Sequence, residues 1–336
     1  MKFAHLRQLT ATLVILAIIS AVGLYFILPV GNRSNKARAE WAALHQHCTT
    51  VPAGPMNGVA VHTPISKNVQ EVAKAAGVNF KLVEFYDAFG ISPFQRKEAD
   101  EAASLKAIPV IQLNPRRIRL ARIAAGKYDH YLQKYAAAVR RFHCQVILSF
   151  GHEMNGSWYP WGCPNANRAD FIAAWRRIVT VMRPARNITW MWTVNTEPGA
   201  SCPLISRWPG SRYVSWIGVD GYLRKPNSTF RQRFQRTLAA LHQLAPDKCC
   251  LISEVGALAG PRQGQRILNI YQGAARNHVL GVIYFDSATG KFGDYRPQDN
   301  TEALTYFQKG LRYFLANADL QSVIGEAEHL AAPRTR

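Results

Sequence analysis

The chain has 336 residues, 48% of them apolar, which suffices for one large domain with extensions, because α/β barrels of about 250 residues fold as single units. A formal net charge of +20 suits nucleic acid, anionic lipid or an acidic polymer as partner. The basic residues are spread along the chain, however, and clusters such as 114–122 and 231–236 read as solvated helix faces with no nucleic-acid motif beside them, so nucleic acid is not an expected partner.

The first feature along the chain is an uncharged run from Leu9 to Leu28, the roughly 20 residues that a helix needs to cross a bilayer. It is too long for a typical cleavable core, so a signal anchor is the preferred reading over a cleaved signal peptide, although "ARA" at 37–39 resembles a cleavage site. Lys2 and Arg7 precede the run, and Arg33, Lys36 and Arg38 follow it, so the charge comparison does not orient it. Residues 1–30 are assigned to this segment, 31–50 to a linker, 51–317 to the folded domain and 318–336 to a polar tail. The folded domain is expected outside the cytoplasm, anchored to the membrane or secreted.

From Val51 onward, short and nearly continuous apolar runs alternate with amphipathic segments. Strands are predicted at 58–63, 80–86, 108–113, 145–150, 188–194, 214–220, 249–255 and 281–286. Each is rich in β-branched or aromatic residues, as parallel strands buried on both faces should be. Helices are predicted at Asp129–Phe142, Arg168–Met182, Phe230–Leu244 and Gln263–Asn277. Eight strand–helix units fit a (β/α)8 TIM barrel better than a doubly wound sheet, and no GxGxxG follows the first strand. In such a barrel the functional residues sit just after the strands.

The strand ends, in order, carry His152, Glu153 and Asn155 after the fourth, Asn195 and Glu197 after the fifth, Asp220 and Tyr222 after the sixth, Glu254 after the seventh and Asp286 after the eighth. Glu153 lies in "GHEMNGSWYPWG" (151–162) and Glu254 in "LISEVGA" (251–257). Strands four and seven face each other across a barrel mouth, so these two carboxylates can converge. Glycoside hydrolysis needs such a pair: one carboxyl protonates the leaving oxygen, while the other attacks the anomeric carbon or activates a water. Mutual repulsion and local environment separate the two pKa values. Trp158, Tyr159 and Trp161 are then placed to stack on sugar faces, with Asn155 and Tyr222 as hydrogen-bonding groups. Asp220 and Asp286 are read as structural partners, and Asn195 and Glu197 as lining the cleft or capping loops. A zinc protease reading fails for want of an HExxH, and a serine hydrolase reading for want of a GxSxG.

These motifs, with "ITWMWTVN" and "YVSWIGVDGY" between them in the same order and spacing, resemble glycoside hydrolase family 26, best known for β-mannanases. The resemblance covers about residues 57–300. It implies a (β/α)8 barrel, retention of configuration, and no metal or other cofactor. It also implies Glu153 as acid/base, Glu254 as nucleophile, His152 and Trp158 at the attacked sugar, and Tyr222 hydrogen-bonded to the nucleophile. One departure stands out, since the family usually carries a tryptophan after strand eight and this chain has Tyr284 at the matching place. A polysaccharide substrate is therefore expected, mannan or a related β-glycan, neutral or acidic, without a secure choice among them. The competing reading is a non-hydrolytic polysaccharide-binding or exopolysaccharide-synthesis-associated envelope protein. The protein is expected to act as a monomer.

The six cysteines, at 48, 144, 163, 202, 249 and 250, show no zinc spacing. Cys163 and Cys202 fall in loops on the same side of the predicted barrel, so a disulfide is expected there, in keeping with an exported domain. Cys144, Cys249 and Cys250 are expected as free, buried thiols.

Overall fold

The computed structural model describes residues 55–196, 202–277, 279–289 and 293–317. The expected membrane segment, the linker, the polar tail and Glu197 lie outside them. No helix among the described residues is long and apolar enough to cross a membrane.

Eight parallel strands, β1 (Met56–Ala60), β2 (Leu82–Ala88), β3 (Ile108–Asn114), β4 (Val146–Phe150), β5 (Ile188–Asn195), β6 (Trp216–Leu223), β7 (Cys249–Ala257) and β8 (Gly281–Phe285), pair in sequence order. β8 returns to β1 and closes the barrel. Every predicted strand is present, with its ends moved by a few residues. A small antiparallel pair, β9 (Ala288–Thr289) and β10 (Gly293–Asp294), follows β8.

The helices are α1 (Ile65–Ala76), α2 (Arg96–Ser104), α3 (Leu120–Ala124), α4 (Asp129–Phe142), α5 (Arg168–Met182), α6 (Phe230–Leu244), α7 (Gln263–Arg276) and α8 (Thr301–Asn317). Helix α4 shows why the periodicity is readable: Leu132, Tyr135, Ala136, Val139 and Phe142 form one buried stripe, the three-and-four spacing of a helix packed on a sheet. Helix α6 begins at a capping box, in which Thr229 accepts from the Gln232 amide and Gln232 accepts from the Thr229 amide, so two otherwise orphaned donors are satisfied.

Side chains alternate across each strand, and this splits the apolar residues into two groups. One group, including Met56, Leu82, Ile108, Ile147, Met191, Leu251 and Ile283, fills the barrel interior. The other, including Val83, Leu148, Trp192, Val219 and Tyr284, packs between sheet and helices. Further along the strands the inward positions become polar: Glu84, Gln112, Ser149, Thr193, Asp220 and Ser253, all buried. The barrel is therefore plugged with hydrocarbon at one end and lined with hydrogen-bonding groups toward the other, where the strands end.

Candidate active site

Glu153 stands in the turn that follows β4, with left-handed backbone (φ 53°) after Gly151 (φ 56°). A non-glycine residue there is unfavourable and persists only where its surroundings fix it. The fixing bonds run from the Glu153 amide to the Thr193 carbonyl (3.0 Å) and from the Gly156 amide to the Glu153 carbonyl (2.9 Å). A Cβ at Gly162 would collide with the Gly156 carbonyl, and one at Gly156 with the Trp158 ring. These motif glycines let the loop fold tightly enough to bring Trp158 back over Glu153.

Both oxygens of Glu153 accept hydrogen bonds, Oε1 from Asn195 Nδ2 (2.5 Å) and Oε2 from Trp158 Nε1 (2.6 Å). Burial and then the charge of Glu254 raise its pKa to about 7, while the bonds from Asn195 and Trp158 and the charge of Arg224 pull the other way. The carboxyl is thus held protonated for part of the population near neutrality, as a proton donor requires.

Glu254 reaches the same space through an irregularity. Between Gly218 and Asp220 of β6 the pairing advances two residues while β7 advances three, from Leu251 to Glu254. This bulge breaks the alternation of β7, so that Ser253 and Glu254 both face inward. Ser253 donates to Asp220 Oδ1 (2.6 Å). Glu254 accepts from Tyr86 at Oε2 (2.8 Å) and from Tyr222 at Oε1. Burial raises the pKa of Glu254, and the two tyrosine bonds oppose that shift. Two hydrogen bonds to one carboxylate favour its ionised form, the state a nucleophile needs.

His152 is buried between Asn114 (Nδ1 to Oδ1, 2.9 Å) and Tyr159 (Nε2 to Oη, 3.1 Å). Burial and the nearby Arg116 charge lower its pKa to about 3, so the ring is neutral. His152, Asp220 and Glu254 each present an atom within 4.8 Å of the others, a spacing that a cation could bridge. Both nitrogens of His152 and both oxygens of Glu254 are already engaged in hydrogen bonds. Two of the three groups are therefore committed to the network, while Asp220 Oδ2 has no hydrogen-bond partner.

Four positions differ from the sequence expectation. Tyr284, expected at the cleft, is wholly buried; it donates to the Tyr295 carbonyl (2.9 Å) and its ring meets Phe307 of α8 at 5.0 Å. Strand alternation explains this, since Tyr284 shares the helix-facing side of β8. Its neighbour Phe285 turns inward and meets Tyr222 edge-on at 5.7 Å. Trp161, expected to stack on sugar, is 1% exposed; it donates to the His152 carbonyl (2.8 Å) and lies flat beneath Tyr159 at 4.4 Å. Asn155, expected to face the ring of a sugar, instead exchanges bonds with the Asn195 backbone (2.7 and 2.8 Å) and ties the loop to β5. Cys144 is disulfide-bonded, not free, whereas Cys249 and Cys250 are free thiols.

Trp158 is 47% exposed, so its ring remains available as a platform. The expected Cys163–Cys202 disulfide is present, with Cα atoms 6.2 Å apart. It links the β4 loop to the segment after β5 and borders an open cavity of about 700 Å³ lined in part by Arg168, Ile172 and Arg207. That cavity does not include the two glutamates.

Tyr86, Asn114, Glu84 and Arg116 also belong to this neighbourhood, and no motif pointed to them. Glu84 is fully buried in the barrel and accepts from Gln112 (3.1 Å). Burial, then the charges of Glu254 and Glu153, push its pKa well up. A glutamate inside the apolar run "FKLVEFY" was the available signal, because a carboxyl on an inward strand position is costly unless it has a use.

A closed (β/α)8 barrel with two buried, hydrogen-bonded carboxyls at the ends of facing strands has the arrangement on which glycoside hydrolysis depends. The profile described as glycosyl hydrolase family 26 matches residues 124–259, the stretch that carries both Glu153 and Glu254. It is 28% identical over 233 residues to endoglucanase H of Acetivibrio thermocellus, covering 64% of this chain and 25% of that protein. It is 30% identical over 114 residues to mannan endo-1,4-beta-mannosidase A and B of Caldalkalibacillus mannanilyticus, covering 31% of this chain and 20% of that protein. The chain thus spans a quarter or less of the length of these curated relatives. Among solved structures, the catalytic domain of the Bacillus sp. JAMB-750 family 26 endo-beta-1,4-mannanase superposes with a TM-score of 0.60 at 16% identity, covering 80% of this chain and 88% of that one. A family 26 beta-mannanase from Bacteroides ovatus superposes with a TM-score of 0.61 at 16% identity, covering 80% and 90%. These likenesses establish the barrel.

Proposed function

We propose that this protein is a retaining endo-β-glycan hydrolase, mannanase-like in its chemistry, with Glu153 as acid/base and Glu254 as nucleophile. The observation that carries the reading is that two neighbouring buried carboxyls, each raised by burial and each opposed by two hydrogen bonds, differ in that the charge of Glu254 pushes Glu153 up further. Glu153 is thereby raised to about 7, which suits the proton donor, and Glu254, raised by burial and pulled back by the Tyr222 and Tyr86 hydroxyls, is the partner left to carry the charge.

In the first step Glu254 attacks the anomeric carbon while the proton on Glu153 passes to the leaving glycosidic oxygen. A covalent glycosyl-enzyme results, and the released chain departs with a new hydroxyl. In the second step Glu153, now ionised, takes a proton from water, whose oxygen displaces Glu254 and restores the original configuration. Asn195 and Trp158 hold the Glu153 side chain in place, and the Trp158 face supports the sugar. Curated relatives named as an endoglucanase and as mannosidases favour an endo-acting enzyme on a β-linked backbone. The apolar run Leu9–Leu28 and the Cys163–Cys202 disulfide support a site of action outside the cytoplasm.

The test is incubation with mannan, xylan and mixed-linkage glucan, followed by sizing of the products. Short oligosaccharides from the interior of at least one polymer are expected. Binding of every polymer with no release of reducing ends would instead favour the non-hydrolytic envelope protein.

A further inference from the structure

Two arginines stand over aromatic residues that surround the carboxyl pair. Arg116, just after β3, places its guanidinium over the Tyr159 ring at 5.9 Å, and Tyr159 is bonded to His152 beside Glu153. Arg224, just after β6, lies over Tyr222 at 5.4 Å and donates to the Tyr295 hydroxyl at 3.2 Å, and Tyr222 is bonded to Glu254. The two cations therefore approach the site from the acid/base side and from the nucleophile side. Both side chains are exposed. Among the described residues Arg116 has no acidic partner.

We propose that the cleft selects an acidic glycan, one carrying carboxylate groups on sugars that flank the cleaved bond, with Arg116 as the residue that binds those carboxylates. The inference rests on the glycanase reading above and specifies its substrate class.

The physical case is one of balance. Glu254, assigned as the charged nucleophile, is buried in the cleft, and a polyanion approaching it would be repelled. Arginines at the rim offset that repulsion and offer the planar fork that matches a carboxylate. The effect of both charges is felt inside: Arg116 lowers the pKa of His152, and Arg224 lowers that of Glu153. The net charge of +20 extends the same preference over the whole surface, where it would raise the rate of encounter with an acidic polymer.

Affinity electrophoresis separates this selective binding from general stickiness. The full chain carrying Glu254→Gln is run toward the cathode through gels containing mannan, xylan or mixed-linkage glucan, each unmodified or carboxymethylated. At least one carboxymethylated polymer is expected to retard it about tenfold more strongly than its neutral parent, and Arg116→Gln should remove most of that difference, the scale of one charge-assisted hydrogen bond. Arg276→Gln, at the exposed end of α7, removes the same charge elsewhere and should leave the difference intact. Equal retardation by neutral and acidic polymers, equal loss in Arg116→Gln and Arg276→Gln, or no retardation by any polymer would overturn the proposal. Cleavage of the neutral polymers by the unsubstituted chain is scored separately, so the glycanase reading can survive the loss of this one.

Discussion

Tyr86 donates its hydroxyl to Oε2 of Glu254 at 2.8 Å across 168 positions of sequence. The bond joins β2 to β7 and, with Tyr222 on the other oxygen, leaves both oxygens of Glu254 hydrogen-bonded. Removing one donor should favour the neutral carboxyl. Tyr86→Phe is therefore expected to move the acidic limb of the pH profile upward and to lower kcat by about tenfold, the equivalent of one hydrogen bond to a charged group. A profile unchanged in shape and height would mean that the bond does not tune the reaction.

Asn195 tests the other carboxyl. Its bond to Glu153 favours the ionised form, so Asn195→Ala should raise the Glu153 pKa further and shift the alkaline limb from near pH 7 to higher pH while reducing the rate. A downward shift of that limb would show that another group sets it.

The buried acids also predict how stability depends on pH. Glu84, Glu153, Asp220 and Glu254 all have raised values in the folded protein, so the folded state holds more protons than the unfolded one. Their contribution is complete at low pH and is lost as pH rises through the folded pKa values. His152, lowered to about 3, acts in the opposite sense, gaining stability as pH rises to its ordinary value of 6.5. Above about pH 6.5 only the carboxyl effect remains, and Tm should decline from there toward pH 9. Glu84→Gln should flatten that decline. A Tm that rises across this range would contradict the upward shift of these buried carboxyls.

The Cys163–Cys202 disulfide closes a 39-residue separation. On the loop-entropy treatment, its removal in Cys163→Ser/Cys202→Ser should cost about 4 kcal/mol of stability. Thermal unfolding with and without reductant would measure the loss. Because the bridge ends just beyond the Trp158 loop, KM should also rise more than kcat falls.

How much of this was legible in sequence depends on the kind of signal. The eight strands could be read because parallel strands buried on both faces are continuous apolar runs, and α4, α5 and α6 because their apolar stripes repeat at helical spacing. The positions of Glu153 and Glu254 followed from motifs at strand ends. Their geometry did not, because the β7 bulge that turns Glu254 inward depends on pairing with β6 and leaves no local pattern. Tyr284 was misplaced for a related reason: strand alternation puts Phe285 on the inner face, and the motif match overrode that period. Trp161 and Asn155 belonged to the right loop but serve to build it, which only the packing of Tyr159 and the backbone of Asn195 reveal. Tyr86 and Asn114 come from strands two and three, far from any motif, and become visible only when the barrel closes.

The measurement that bears most directly on the carboxyl pair is turnover of an activated aryl β-glycoside by Glu254→Ala and Glu153→Ala. Glu254→Ala should have no measurable turnover, because the group assigned to form the glycosyl-enzyme is gone. Glu153→Ala should form it at a substantial fraction of the normal rate, because a good leaving group does not need the proton. Near-normal turnover in Glu254→Ala would contradict the assignment.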